Sequence, residues 1–210
     1  MRLPSLRRKK LMKETSLTGA VTVVKVGGSL FDLPDLARRL TTWLHEVAGP
    51  EVLLVPGGGV TAHAVRSLDA WQQLGEDKAH WLALRSLSLN AHFLAALLPR
   101  AKVIGALEEC EPAWRDGTVP VVDAYRFAEA DEGQPGCLPH HWTVTSDSVA
   151  ARVAIVAAAT RLILLKSVTI PTGLDWAEAA RRGFVDSYFA TVLEGAALDV
   201  AAVNFKEWTP

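Results

Sequence analysis

Cysteine is scarce in this chain of 210 residues: Cys110 and Cys137 are the only two, without C-x-x-C spacing or a partner cluster. That argues against a disulfide framework and a thiolate zinc site, and it suits a reducing, cytoplasmic setting. Charge of one sign is lacking too, since 22 basic residues meet 23 acidic ones for a net of −1. Such a balance offers no electrostatic footprint for nucleic acid. No apolar run approaches the roughly 20 residues that span a bilayer, so no membrane association is expected. The phosphate-binding signatures G-x-x-x-x-G-K-[ST] and G-x-G-x-x-G are missing, which disfavours a P-loop ATPase and a Rossmann dehydrogenase. What is present is a composition of 50% hydrophobic residues, enough for one globular domain with a sizeable core.

Charge is unevenly placed. Arg2, Arg7, Arg8, Lys9, Lys10 and Lys13 stand against Glu14 alone, a net of +5 that leaves −6 for the rest. Residues 1–18 therefore read as a solvated, disordered basic arm without the apolar core of a secretion signal, and residues 19–210 as the domain. Beyond the arm, β-rich runs alternate with helical patterns. This predicts an α/β fold, a three-layer αβα sandwich around a mainly parallel sheet. Strands are expected at 21–26, 51–55, 102–107, 119–122, 162–165 and 200–204. Helices are expected at 36–47, 61–73, 77–98, 149–159, 175–182 and 186–193, and a polar loop at 129–141. The seven tryptophans are scattered and suit core or interface positions.

Two glycine turns occupy equivalent places. Gly27-Gly28-Ser29 follows the strand ending in Lys25-Val26, and Gly57-Gly58-Gly59 follows Leu54-Val55-Pro56; each precedes a helix. The carboxyl edge of a parallel sheet is where such folds bind ligands. Glycine there lets backbone amides approach an anion, so two turns side by side can cradle a chain of phosphates, although ordinary turn chemistry also accounts for either one. Later, Thr145-Ser146-Asp147-Ser148 opens a helix in which Arg152 is the sole charge, and Leu164-Leu165-Lys166 ends another strand.

Lys25-Val26-Gly27-Gly28-Ser29, Pro56-Gly57-Gly58-Gly59, the Ser146-Asp147 pair and the strand ending at Lys166, in that order, resemble the amino acid kinase family of phosphoryl transferases. The resemblance spans about residues 20–205. It implies ATP and an acceptor bound end to end across the sheet edge, with ATP and Mg2+ as cofactors. By position, Lys25 would meet the transferring phosphoryl group, Asp147 would orient the lysines, and Gly27, Gly28, Ser29, Gly57, Gly58, Gly59, Ser146 and Ser167 would surround the nucleotide. The Thr-Asp-x-x-Gly loop common in the family is replaced by Ser167-Val168-Thr169-Ile170-Pro171, and the later Thr-Gly-Gly-Met segment with a second lysine is missing. Lys166 is the candidate for that second charge; a structural lysine at the sheet edge is the alternative.

The segments around Trp142 to Ser148 and Leu164 to Val168, with the short length, resemble the aminomethylfuran phosphate kinase branch of the family. That branch makes the diphosphate of an aminomethylfuran-methyl phosphate in one-carbon cofactor synthesis. An amino acid carboxylate or nucleoside monophosphate as acceptor, or a noncatalytic anion-binding role, remain open alternatives. For the acceptor side, Arg66 and His80 could meet a phosphate and Asp69 or Glu76 an amine. Lys78, Arg85, Ser88 and His92 share one stripe of the long helix, which a solvated face explains equally well. His140-His141 beside Trp142 lies in a Gly- and Pro-rich loop and reads as a surface feature; no third ligand supports a metal there. Homo-oligomers are common among such relatives, and the long helix would suit an interface.

Overall fold

The computed structural model describes residues 20–49 and 51–209, so the basic arm lies outside the described residues. Six parallel strands form one sheet in the order β3-β4-β2-β1-β5-β6. They are β1 (Thr22–Val26), β2 (Val52–Pro56), β3 (Ala101–Ile104), β4 (Val119–Val122), β5 (Arg161–Lys166) and β6 (Asp199–Asn204). The helices are α1 (Leu36–Trp43), α2 (Gly59–Gln72), α3 (Glu76–Leu97), α4 (Cys110–Arg115), α5 (Ala124–Asp131), α6 (Ser146–Val156), α7 (Trp176–Arg181) and α8 (Phe189–Val192). The fold is the expected three-layer αβα sandwich.

Two apolar clusters flank the sheet, and strand alternation assigns residues to them. Val23, Leu53, Val55, Leu162 and Leu164 face α6 in one cluster. Val24, Val26, Leu54, Ile163 and Leu165 face Leu36, Leu40 and Trp43 of α1 in the other. Helix α3 serves both, with Leu84 and Leu87 in the first and Ala91 and Leu94 in the second. The same alternation puts Lys25 beyond Val23, and Lys166 beyond Leu164, on the α6 side. Lys25 pairs in register with Leu164, so the two lysines end adjacent central strands on one face.

Several boundaries differ from the sequence pattern. The third strand stops at Ile104, because Leu107–Glu109 turns as a 3-10 helix whose Glu109 carboxylate accepts from the amides of Gly105 and Ala106. Helices α4 and α5 were not expected; each is short and buries a narrow stripe, Cys110 and Ala113 in α4 and Ala124 and Phe127 in α5. Helix α5 is started by Asp123, whose side chain accepts from the amides of Tyr125 and Arg126. The loop expected from residue 129 thus begins after Asp131. Helix α6 is buried from Ser146 to Ala154, and its Arg152 makes a bidentate pair with Asp131 at 2.7 and 2.8 Å. Among the described residues, no helix is long and apolar enough to cross a membrane.

Candidate active site

At the carboxyl edge the two glycine turns pack against each other. A Cβ on Gly28 would lie 2.1 Å from the amide nitrogen of Gly59, and one on Gly57 would lie 2.3 Å from that of Gly28. Gly59 also has φ +51, a left-handed conformation that glycine adopts without strain. These glycines are therefore required by turn-on-turn contact as well as by any ligand. The Gly27 amide donates to Leu165 O and the Gly57 amide to Val26 O, which ties both turns to the central strands. Asn90, buried on α3, donates its amide group to the carbonyls of Gly57 and Gly58 at 2.7 and 2.8 Å, bracing the second turn. Sequence reading missed Asn90, since nothing local links it to a turn more than thirty residues away.

Beside the turns, the Asp147 carboxylate bridges two ammonium groups. Lys25 Nζ lies 2.9 Å from Oδ1 and Lys166 Nζ 2.7 Å from Oδ2. All three residues are at most 9% exposed, so the cluster is nearly dry. Burial pushes Asp147 up, but the lysines outweigh it and hold the carboxyl below its ordinary range. Burial and the neighbouring Lys25 charge bring Lys166 down to about 8, despite the opposing pull of Asp147. In direct contact are two cations and one anion, an excess of positive charge that the nearby Asp186 carboxyl offsets in part. Such a site favours an anion.

Ser29 and Ser167 meet through a 2.9 Å hydroxyl hydrogen bond on one side of the cluster. On the other side a cleft of about 170 Å³ opens between α2, α3 and the segment leading into α6. Gly58, Gly59, Thr145 and Ser146 floor it; Arg66, His63 and His80 supply polar groups; Leu84, Leu87, Val144 and Trp142 supply apolar walls. Burial and the charges of His140 and His141 bring His80 down to about 4, so it is neutral near pH 7. Arg66 lies over the Trp142 ring at 4.7 Å. Asp69 does not line the cleft: it accepts the Trp142 indole N–H at 2.7 Å. It fixes a wall where the sequence suggested an amine partner.

The long-helix stripe belongs elsewhere. Arg85 stacks 3.8 Å over Tyr125, Ser88 donates to Asp123, and Lys78 and His92 are exposed. The cleft takes the neighbouring stripe, His80, Ala83, Leu84 and Leu87. His140 is no loose surface group; its ring nitrogens lie 2.7 Å from Asp77 and 3.0 Å from Glu132, and it stacks on His80 at 5.2 Å.

The chain matches the Amino acid kinase family over residues 20–169 and belongs to that family. Over 154 residues it is 23% identical to the [5-(aminomethyl)furan-3-yl]methyl phosphate kinase of Methanocaldococcus jannaschii, covering 73% of this chain and 66% of that protein, just under two thirds of its length. Solved structures with the same fold include the uridylate kinase of Archaeoglobus fulgidus, at TM-score 0.60 and 20% identity, covering 87% of this chain and 89% of that one. The UMP kinase of Ureaplasma parvum matches at TM-score 0.63 and 12% identity, covering 89% and 90% respectively.

Proposed function

We propose that the protein is an ATP-dependent kinase that passes the γ-phosphoryl group to a small phosphorylated acceptor, an aminomethylfuran-methyl phosphate, giving the diphosphate. The observation that carries this reading is the Asp147 carboxylate held between Lys25 and Lys166 beside two packed glycine turns. Phosphoryl transfer asks for in-line positioning and for charge stabilisation on the equatorial oxygens, and preorganised ammonium groups supply the second. Amides of Gly27, Gly28, Ser29 and Gly57 to Gly59 would hold the phosphates, with Ser146 and Ser167 flanking them. Among the described residues, no group of three or more His, Cys, Asp or Glu could hold a metal. Asp147 Oδ2 accepts from Lys166, and Oδ1 stands 2.9 Å from the Lys25 ammonium without a hydrogen-bond partner among the described residues. Magnesium would be carried by the nucleotide's phosphates, as is usual for this ion.

The cleft supports the acceptor assignment. With apolar walls and Arg66 at its side, this cleft of roughly 170 Å³ suits a ring bearing a phosphate. Arg66 would meet the acceptor's phosphate, Trp142 and the aliphatic side chains its ring. Neutral His80 can accept a hydrogen bond from an ammonium group. The test is transfer from γ-labelled ATP to aminomethylfuran-methyl phosphate, with UMP and amino acid carboxylates in parallel. A labelled furan diphosphate is the expected product; transfer to UMP instead would replace the acceptor, and no transfer to any of them would overturn the kinase reading.

A homo-oligomer is the second part of this reading. Helix α2 has no buried residue along its 14 positions, and Val60, Leu68 and Trp71 on it are exposed, as are Leu82, Leu89 and Phe93 on the adjoining α3. A helix of a finished soluble protein normally buries a stripe. A second copy related by a two-fold axis would cover this face with the same face of its own.

A further inference from the structure

The N-terminus of α6 is held by a residue outside the helix. The first amides of a helix have no partner within it, and the N-cap side chain usually supplies one. Thr145 occupies that position but makes no capping bond. Its amide and hydroxyl instead donate to Asp186 Oδ2 at 3.1 and 2.9 Å. The Ser148 amide donates to the same oxygen at 2.9 Å, and the Ser148 hydroxyl donates to Oδ1. One carboxylate, in the segment between α7 and α8, thus takes four donors from the two residues that bracket Ser146 and Asp147. The segment is itself stitched down, since the Tyr188 amide donates to Thr143 O and Val185 is buried.

We propose that Asp186 is a positioning residue for the phosphoryl-transfer cluster: by clamping the Thr145 to Ser148 turn, it sets Asp147 between Lys25 and Lys166. The proposal rests on the reading of that cluster as the transfer site. It goes beyond helix capping because the Asp186 charge also acts on Lys166, whose other charged neighbours are Lys25 on β1 and Asp147 on α6. Asp186 sits high for a carboxyl, through burial and the nearby Asp147, with the Ser148 and Thr145 bonds opposing that rise. Its ionised form is what four donors call for. A cap alone would affect stability; a positioning residue also affects the lysine and the rate.

Asp186→Asn keeps the shape and one acceptor oxygen while removing the charge. Competitive acetylation of the folded protein across pH, read at Lys166 by mass spectrometry, should show half-labelling at a lower pH than in the parent. Turnover should fall roughly 10- to 100-fold, the scale of an ångström-level misplacement, with KM for ATP nearly constant. Should Asp186→Asn not fold, Ser148→Ala removes the donor to Oδ1 and leaves the charge, so turnover should fall by less while the Lys166 labelling profile stays where it is in the parent. An unchanged Lys166 labelling profile together with unchanged turnover per folded molecule would make Asp186 a cap only. The labelling arm needs no acceptor, so a parent without transferase activity would count against the proposed function while this arm still decides the role of Asp186.

Discussion

Asp147 carries a consequence for stability that can be measured. Replacing it with Asn leaves two buried ammonium groups without their counter-charge, and breaking a buried pair from one side costs on the order of 3–5 kcal/mol. The bland role of a helix-capping acid would cost at most ~1 kcal/mol, because Asn caps nearly as well. The larger deficit should shrink between pH 7 and pH 9: Lys166 already sits near 8, and its deprotonation in the folded state relieves the repulsion. Denaturation of parent and Asp147→Asn at both pH values checks this, and a small deficit equal at both would reduce Asp147 to a cap. Lys166 itself predicts a pH profile. If its ammonium stabilises the transferring group, kcat/KM should fall as pH rises through about 8. The limb in kcat should lie higher, since bound phosphates favour the charged lysine. A flat kcat/KM from pH 7 to 9.5 would remove Lys166 from the chemistry.

The paired glycine turns work as one element, and their tolerance to change follows from contact geometry. Gly28→Ala brings a methyl against the Gly59 backbone, where no flexible side chain can yield. Overpacking of this kind costs roughly 1–3 kcal/mol, so lost nucleotide affinity in this variant would not by itself show phosphate contact. Asn90→Ala is the cleaner probe: it touches no proposed ligand and strands the carbonyl of Gly57, at ~1–3 kcal/mol for an unsatisfied buried group, while Gly58 O keeps its bonds from the Thr61 hydroxyl and the Ala62 amide. KM for ATP should rise severalfold with little change in kcat; an unchanged KM would show that the turn holds its shape without Asn90. The turns, the strand ends bearing Lys25 and Lys166, and the existence of α6 were legible in the sequence because each is a local pattern, but the local cap expected for α6 is replaced by Asp186. Asn90, Asp186 and the Trp142 to Asp69 contact were not legible, since each joins residues some 30 to 75 positions apart. The stripe on α3, open between an acceptor face and a solvated one, could not be decided for a related reason. Periodicity shows that Lys78, Arg85, Ser88 and His92 share a face, but only the packing of α5 and α2 shows that the cleft takes the neighbouring one.

For the whole molecule, the open question is what covers α2. The helix supplies Ala62, His63 and Arg66 to the cleft, yet it leans on its own chain without burying a single residue. A partner covering the exposed side of this helix would fix the acceptor wall further, and a better fixed wall improves orientation of the acceptor. If a second copy covers Val60, Leu68 and Trp71, assembly and acceptor binding become linked, because the covered stripe and the cleft residues lie on different faces of one helix. Trp71→Glu puts a charge at a residue that is 74% exposed in the single chain, so the fold of an isolated protomer should survive it. The association should not, because a desolvated carboxylate without a partner opposes burial of the face. Sedimentation of the parent at micromolar concentration should show a dimer or larger species, and of Trp71→Glu a monomer with unchanged circular dichroism. The same variant should raise KM for the acceptor more than KM for ATP, whose turns sit on the central strands. A parent that sediments as a monomer across that range, or a Trp71→Glu protein that assembles like the parent, would mean that this face is not the interface.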